Sequence, residues 1–219
     1  FRLWLVKPRA RWLVVVLVLP GLLTYAYAVL RHKMLMEWYV GFMLPGASSI
    51  PAVDAAHPRM AADCGERAVA MVWEDLTPAR ILSRASFDNA LVAYMALGGS
   101  TNATVHLIAM ARRAGIPLTL ADMDAAGRTI PVLADLFPSG RHLMEDFFFA
   151  GGLPALLERL RACLEPAAMT VNGRTLGENI AGAAVWNDDV IRPLAHPVTG
   201  DPATRGALAV LTGNLAPRG

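Results

Sequence analysis

The stretch Ala96-Leu97-Gly98-Gly99-Ser100-Thr101 constrains this chain more than any other, because it can stop one helix and start the next within six residues. Paired glycines favour the left-handed backbone that closes a helix, and a following Ser or Thr supplies the hydroxyl that opens another. The same punctuation recurs on both sides. Pro58 suits a first helical turn, and Ala61, Ala68, Met71, Val72 and Leu76 give a helix running to about Asp75. Ser86 is placed to cap a second helix through Leu97, with Phe87, Leu91, Tyr94 and Met95 along one side. Ser100 or Thr101 caps a third, through Val105, Leu107, Ile108 and Met110 to Ala114, where Gly115 and Pro117 end it. Thr119 and Asp122 form a capping box for a short helix near Met123. Pro154 opens another, with Leu156, Leu157, Leu160 and Leu164 at helical spacing.

Further on the period changes. Met169-Thr170-Val171 and Arg174-Thr175-Leu176 flank Asn172-Gly173, a pair suited to a tight hairpin turn. Thr175 and Glu178 repeat the capping-box pattern, and Ala207-Leu208-Ala209-Val210-Leu211 has the length and apolarity of a buried strand. The chain is therefore expected to be helix-rich, with β structure gathering towards its C-terminal end.

At 219 residues the length suits one domain or one and a part. Hydrophobic residues make up 55% and charged residues 17%, enough for a packed core and opposite to the composition of disorder. A formal net charge of +2 gives no basic footprint, so nucleic acid is not an expected partner. Cys64 and Cys163 are far apart in sequence and in no metal-like spacing, which points to a reducing cytoplasm rather than a disulfide framework. Cys64 is expected to be a buried helical thiol. Phe1 in place of Met, and Gly219 after Asn214-Leu215-Ala216-Pro217, give both ends the look of cuts.

Residues 1–36 stand apart. From Trp12 to Leu30 the chain is almost wholly apolar, broken by Pro20, Gly21 and Thr24 and flanked by Lys7, Arg9, Arg11, Arg31, His32 and Lys33. Two readings stand side by side. The run is just long enough to span a bilayer, which takes about 20 residues. Its Leu, Val, Arg, Pro, Ala and Trp content equally suits a GC-rich gene translated out of frame. A membrane partner is expected only if residues 12–30 are genuine.

The string Ala96-Leu97-Gly98-Gly99-Ser100-Thr101-Asn102-Ala103, continuing to His106-Leu107, resembles the central signature of the dihydroxy-acid dehydratase / phosphogluconate dehydratase family, which includes sugar-acid dehydratases. Other blocks accompany it in family order. Upstream are Leu44-Pro45-Gly46-Ala47-Ser48-Ser49-Ile50-Pro51-Ala52 and Glu74-Asp75-Leu76-Thr77-Pro78. Downstream are Leu133-Ala134-Asp135-Leu136, Pro138-Ser139-Gly140, Met144-Glu145-Asp146, Leu176-Gly177-Glu178-Asn179, Val190-Ile191-Arg192-Pro193-Leu194 and Gly213-Asn214-Leu215-Ala216-Pro217. The resemblance covers roughly Leu44 to Gly219. It implies an α/β fold: residues 37–190 as part of the family's N-terminal α/β domain, and 191–219 as the start of a β-rich C-terminal domain.

The resemblance also implies a chemistry. Family members remove water from a 2,3-dihydroxy acid, and the resulting enol tautomerises to a 2-keto acid. An iron–sulfur cluster polarises the leaving hydroxyl, magnesium holds the carboxylate, and a serine acts as base. Neither Cys64 nor Cys163 falls in a matching motif, so no metal ligand and no catalytic residue is assigned here. The chain is expected to be a fragment, inactive alone, of a cytoplasmic enzyme that takes a small polyhydroxy acid and forms a homo-oligomer when complete. A degenerate, membrane-tethered dehydratase scaffold is the alternative.

For substrate contact, Ser100, Thr101 and Asn102 sit where a helix N-terminus favours an anionic carboxylate, although capping alone also explains them. His106 lies one turn on and either faces the site or is simply solvated. Ser139, Glu145 and Asp146 fall in a loop-to-helix block, where acids also complement the helix dipole. Asp188 and Asp189 are expected in a solvated turn. Phe147-Phe148-Phe149 is expected in the core or at a subunit interface.

Overall fold

The computed structural model describes residues 41–199 and 207–217. The expectations that fall on residues 1–36, the apolar run from Trp12 to Leu30 included, lie outside the described residues. Among the described residues no helix is long and apolar enough to cross a membrane.

Helix α1 (Ala56–Trp73) starts where the Asp54 carboxylate accepts the Ala56 N–H at 2.7 Å. None of its residues is buried. It is tied down by Arg67, whose Nε donates to the Val171 carbonyl at 2.6 Å. Cys64, expected to be buried, is exposed because it lies on this uncovered helix. Helix α2 (Pro78–Ile81) is a single turn that buries Ile81.

Helix α3 (Arg84–Leu97) forms the centre of the molecule. Its cap is Ser83 rather than Ser86: Ser83 accepts the Ser86 N–H, and the Ser86 hydroxyl accepts the Ser83 N–H in return. A capping box needs its second partner three residues on, so Ser86 serves as that partner. Every residue from Asn89 to Leu97 is buried. A helix apolar on all sides must be surrounded, and the helices that follow surround this one. Full burial of a side chain such as Phe87 contributes about 1.5–3 kcal/mol. Alanines at 90, 93 and 96, each almost fully buried, let neighbours approach closely.

Helix α4 (Thr101–Arg113) buries Ala103, Leu107 and Ala111, one stripe at helical spacing. Helix α5 (Leu120–Thr129) packs on α3 and opens with the expected Thr119–Asp122 box. Helices α6 (Met144–Phe149) and α7 (Gly152–Arg159) follow one another and pack together. Helix α8 (Leu176–Ile180) packs on α7 and carries the expected Thr175–Glu178 box. Of the three phenylalanines in α6, Phe147 is fully buried, Phe148 half-buried and Phe149 exposed.

The helix-rich expectation stands, while a β-rich C-terminal start is not seen among the described residues. Among the described residues β pairing is limited to isolated bridges: Ala134 with Ile191, Leu136 with His142, and Met169 with Thr175. The Asn172-Gly173 turn forms, with Gly173 at φ +79°, but its hairpin stops after one bridge. The second arm has no room to extend, because Thr175 is already the cap of α8 and Leu176 its first residue. The run 207–211 is not a strand. It lies along α5, where the Val210 N–H meets Asp124 Oδ1 at 3.4 Å, and its Ala207 and Leu211 are exposed. No strand edge stands beside it among the described residues.

Candidate functional site

The turn between α3 and α4 is fixed from below by Tyr94. Gly98 closes α3 in the left-handed region at φ +73°. The next residue must lack a side chain for a different reason: a Cβ on Gly99 would stand 2.1 Å from the Tyr94 ring. With its ring under Gly99, Tyr94 donates its hydroxyl to the Ser100 carbonyl at 3.0 Å and shares a 2.8 Å hydrogen bond with Thr104. Burial pushes the Tyr94 phenol above its usual pKa, so it stays protonated as that donor. The Ser100 hydroxyl accepts the Asn102 N–H at 3.2 Å, so Ser100 caps α4. Thr101 and Asn102 are exposed in its first turn, and no hydrogen bond among the described residues engages the Asn102 side chain.

A second loop is built on the same end of α3. The Leu133 and Ala134 N–H groups both donate to the Ala96 carbonyl, at 2.9 and 3.1 Å. On the other side, Asp135 N–H bonds the Val190 carbonyl and Arg192 N–H bonds the Leu133 carbonyl. From this anchored segment the chain loops through residues 136–141 and returns at His142, whose N–H bonds the Asp135 carbonyl at 3.0 Å. Asp135 is only 5% exposed. Its carboxylate accepts the Arg141 N–H at 3.0 Å and Nε at 2.8 Å, and Arg141 Nη2 lies 2.7 Å away. Burial alone would raise the Asp135 pKa, but the Arg141 guanidinium and backbone N–H outweigh it and hold the carboxyl below its usual range. Gly140 passes so close that a Cβ there would meet Asp135 Oδ1 at 2.3 Å and Leu136 N at 2.5 Å. This loop carries Ser139 to the α3–α4 turn, its Oγ 3.9 Å from where a Gly98 Cβ would stand.

The structure thus brings Ser139 beside Gly98, at the start of the α3–α4 turn, and leaves other candidates elsewhere. His106, exposed on α4, lines an open groove of about 750 Å³ with Phe42, Pro78, Leu82, Met110 and Arg113, a lining that includes none of residues 98–102 or 139. Glu145 is exposed in the first turn of α6, with no hydrogen bond or ion pair to the turn among the described residues. Asp146 accepts the Leu143 N–H at 2.7 Å, which is a capping role. Asp188 and Asp189 are exposed and paired with Arg159 and Arg192 respectively. Sequence reasoning had grouped Tyr94 with the apolar face of its helix and gave Asp135 no role. The available signals are a Tyr four residues before a Gly-Gly stop and an Asp six residues before an Arg.

Among the described residues no group of three or more His, Cys, Asp or Glu is arranged to hold a metal ion. Cys64 and Cys163 are both free and exposed, one on α1 and the other in the 3₁₀ turn Arg161–Cys163. The described residues therefore do not fit an iron–sulfur cluster or a magnesium cage.

Comparison with known proteins gives these blocks their context. Residues 27–179 match the family model described as dihydroxy-acid/6-phosphogluconate dehydratase N-terminal. The match begins inside the leader set apart at 1–36. The chain is 51% identical over 181 residues to a 6-deoxy-6-sulfo-D-gluconate dehydratase of Pseudomonas putida, covering 82% of this chain and 31% of the relative. It is 44% identical over 182 residues to an L-arabinonate dehydratase of Rhizobium leguminosarum bv. trifolii, with the same coverage. A dihydroxy-acid dehydratase of Ignicoccus hospitalis matches at 44% over 202 residues, covering 91% of this chain and 36% of the relative. The chain thus spans about a third of the length of the curated relatives it matches. With most of the described helices inside the matched region, the chain belongs to the N-terminal domain family of the dihydroxy-acid/6-phosphogluconate dehydratases.

Proposed function

We propose that this chain is part of a hydro-lyase that dehydrates a 2,3-dihydroxy acid to a 2-keto acid, and that a sugar acid is its substrate. The observation that carries this reading is the family match over residues 27–179, together with 51% identity to a relative named for a gluconate derivative. Two further relatives, at 44% and 47% identity, are named for arabinonate or arabonate. A branched-chain dihydroxy acid is the second reading, and the Ignicoccus hospitalis relative, named a dihydroxy-acid dehydratase, is compatible with it.

In this reading the described residues bind rather than transform. The carboxylate of the acid sits at the N-terminus of α4, where the helix dipole and the side chains of Ser100, Thr101 and Asn102 favour an anion. Ser139 supplies a hydroxyl from the facing loop, and His106 and Glu145, which lie elsewhere, are left out of this carboxylate site. An iron–sulfur cluster and magnesium would supply the Lewis acidity when bound. No step is assigned through them to the residues described. We propose with it that the chain alone is inactive and that the complete enzyme is a cytoplasmic homo-oligomer.

The test is turnover by the complete polypeptide encoded by the gene, assembled with its metals, on a panel of sugar acids and branched-chain dihydroxy acids. The expected result is 2-keto acid from at least one sugar acid, with kcat/KM at least about tenfold above that for the branched-chain acids, roughly the contribution of one well-made polar contact. The opposite order would favour the branched-chain reading. No keto acid from any of them would contradict the proposal.

A further inference from the structure

We infer that Asp135 is a positioning residue: its clasp on Arg141 sets the loop that holds Ser139 against the α3–α4 turn. The inference deepens the reading above and rests on it for the substrate.

The case begins with an unusual concentration of constraints on one short loop. Asp135 is 5% exposed and its carboxylate collects three contacts from a single residue: the Arg141 N–H, Nε and Nη2. Arg141 itself is largely in solvent, its side chain 66% exposed against 7% for Asp135. An ion pair made only for stability gains little from so exposed a partner. Its geometric effect is larger, because it draws the chain back on itself across six residues. Gly140 completes the closure, since any side chain there would collide with Asp135 Oδ1 and the Leu136 nitrogen. The Gly140 N–H then bonds the Leu136 carbonyl at 2.8 Å, and Phe137 N–H bonds the His142 carbonyl at 2.7 Å.

The rigid end of this arrangement is the C-terminus of α3, to which Leu133 and Ala134 are bonded through the Ala96 carbonyl. The other end of the same carbonyl-bearing turn is Gly98, beside Ser139. Among the described residues the Ser139 hydroxyl makes one hydrogen bond, a long 3.5 Å contact to the Leu136 carbonyl. Its position is therefore set by the loop and not by its own bonds. A hydroxyl held loosely by itself but firmly by its loop is ready to bond an incoming anion. Releasing the clasp would leave Ser139 present but misplaced, and small displacements of a binding group carry large losses in affinity.

The test uses the complete polypeptide and two readouts. Asp135→Asn keeps the side chain's size and removes its charge. Hydrogen exchange is expected to accelerate in residues 136–142 while α3 and α7 keep their protection, and KM for the acid is expected to rise about tenfold with kcat within about threefold, as for one lost hydrogen bond to substrate. Ser139→Ala should raise KM by a similar factor, and Asp135→Asn added to Ser139→Ala should raise it no further, because both act through one hydroxyl. Gly140→Ala should reproduce the exchange and KM changes of Asp135→Asn. Unchanged exchange in 136–142 would overturn the clasp. Faster exchange with unchanged KM, equal loss of kcat with KM unaltered, or KM effects that multiply in the double variant would overturn the link to Ser139. A wild-type enzyme inactive on every acid would instead sink the dehydratase reading, with exchange still deciding the clasp.

Discussion

The Gly98–Ser100 turn shows how one side chain can specify its neighbours. Gly98 needs no Cβ because its φ is +73°, whereas Gly99 needs none because the Tyr94 ring occupies that space. Gly99→Ala is accordingly expected to lower stability by about 1–3 kcal/mol, the usual penalty of overpacking, read as a drop in thermal midpoint. An unchanged midpoint would mean that Tyr94 is free to move and does not set the turn. The glycines and the cap were legible in the sequence, since Gly-Gly-Ser-Thr punctuates helices by local rules. Tyr94 was not, because helical spacing places it on an apolar face without saying what its hydroxyl reaches. Asp135 was hidden for a related reason: it lies beside Leu136 in an apolar run, and only the chain reversal at Gly140 brings Arg141 back to it.

At the scale of elements, the capping boxes are legible where a Thr is followed three residues on by an acid. Thr119–Asp122 and Thr175–Glu178 are both present, while Ser83–Ser86 is less legible because a Ser at 86 also reads as the cap itself. The Thr119–Asp122 box is also an electrostatic joint. Asp122 accepts from Thr119 Oγ1 at 2.6 Å and N–H at 2.8 Å, and from Arg84 Nη2 at 2.8 Å, which ties α5 to the start of α3. Those bonds, the Thr119 hydroxyl first and Arg84 next, lower the Asp122 pKa to about 2. A carboxyl whose folded pKa lies below its unfolded value stabilises the fold above the unfolded pKa, near 3.9, and loses that contribution as pH falls through the folded one. The thermal midpoint of the chain is therefore expected to exceed that of Asp122→Asn above about pH 4, with the gap closing between about pH 4 and pH 2. A gap independent of pH over that interval would show that the joint is not ionic. The Asn172-Gly173 hairpin marks the limit at this scale: the turn forms locally, but strand pairing needs a neighbour that no local pattern supplies.

For the molecule as a whole, the order of sequence blocks carried more than any one block. Spaced as they are, they identified the family, and the structure shows why they are spaced so: the central helix, its closing turn and the 135–142 loop are one connected scaffold. The helices around α3 follow from apolar spacing and stop signals, so the helical architecture was largely legible. Which loop would face which turn was not, because the Ala96, Leu133 and Val190 contacts join residues far apart in the chain. The account's central claim is that the enzyme built on this scaffold removes water from a 2,3-dihydroxy acid through an enol. Its most direct test is proton NMR of the product formed in D₂O by the complete, metal-loaded polypeptide from a sugar acid. The account predicts a 2-keto acid carrying one deuteron at C3, because the enol takes that proton from solvent. A keto acid with only protium at C3, or no keto acid at all, would contradict it.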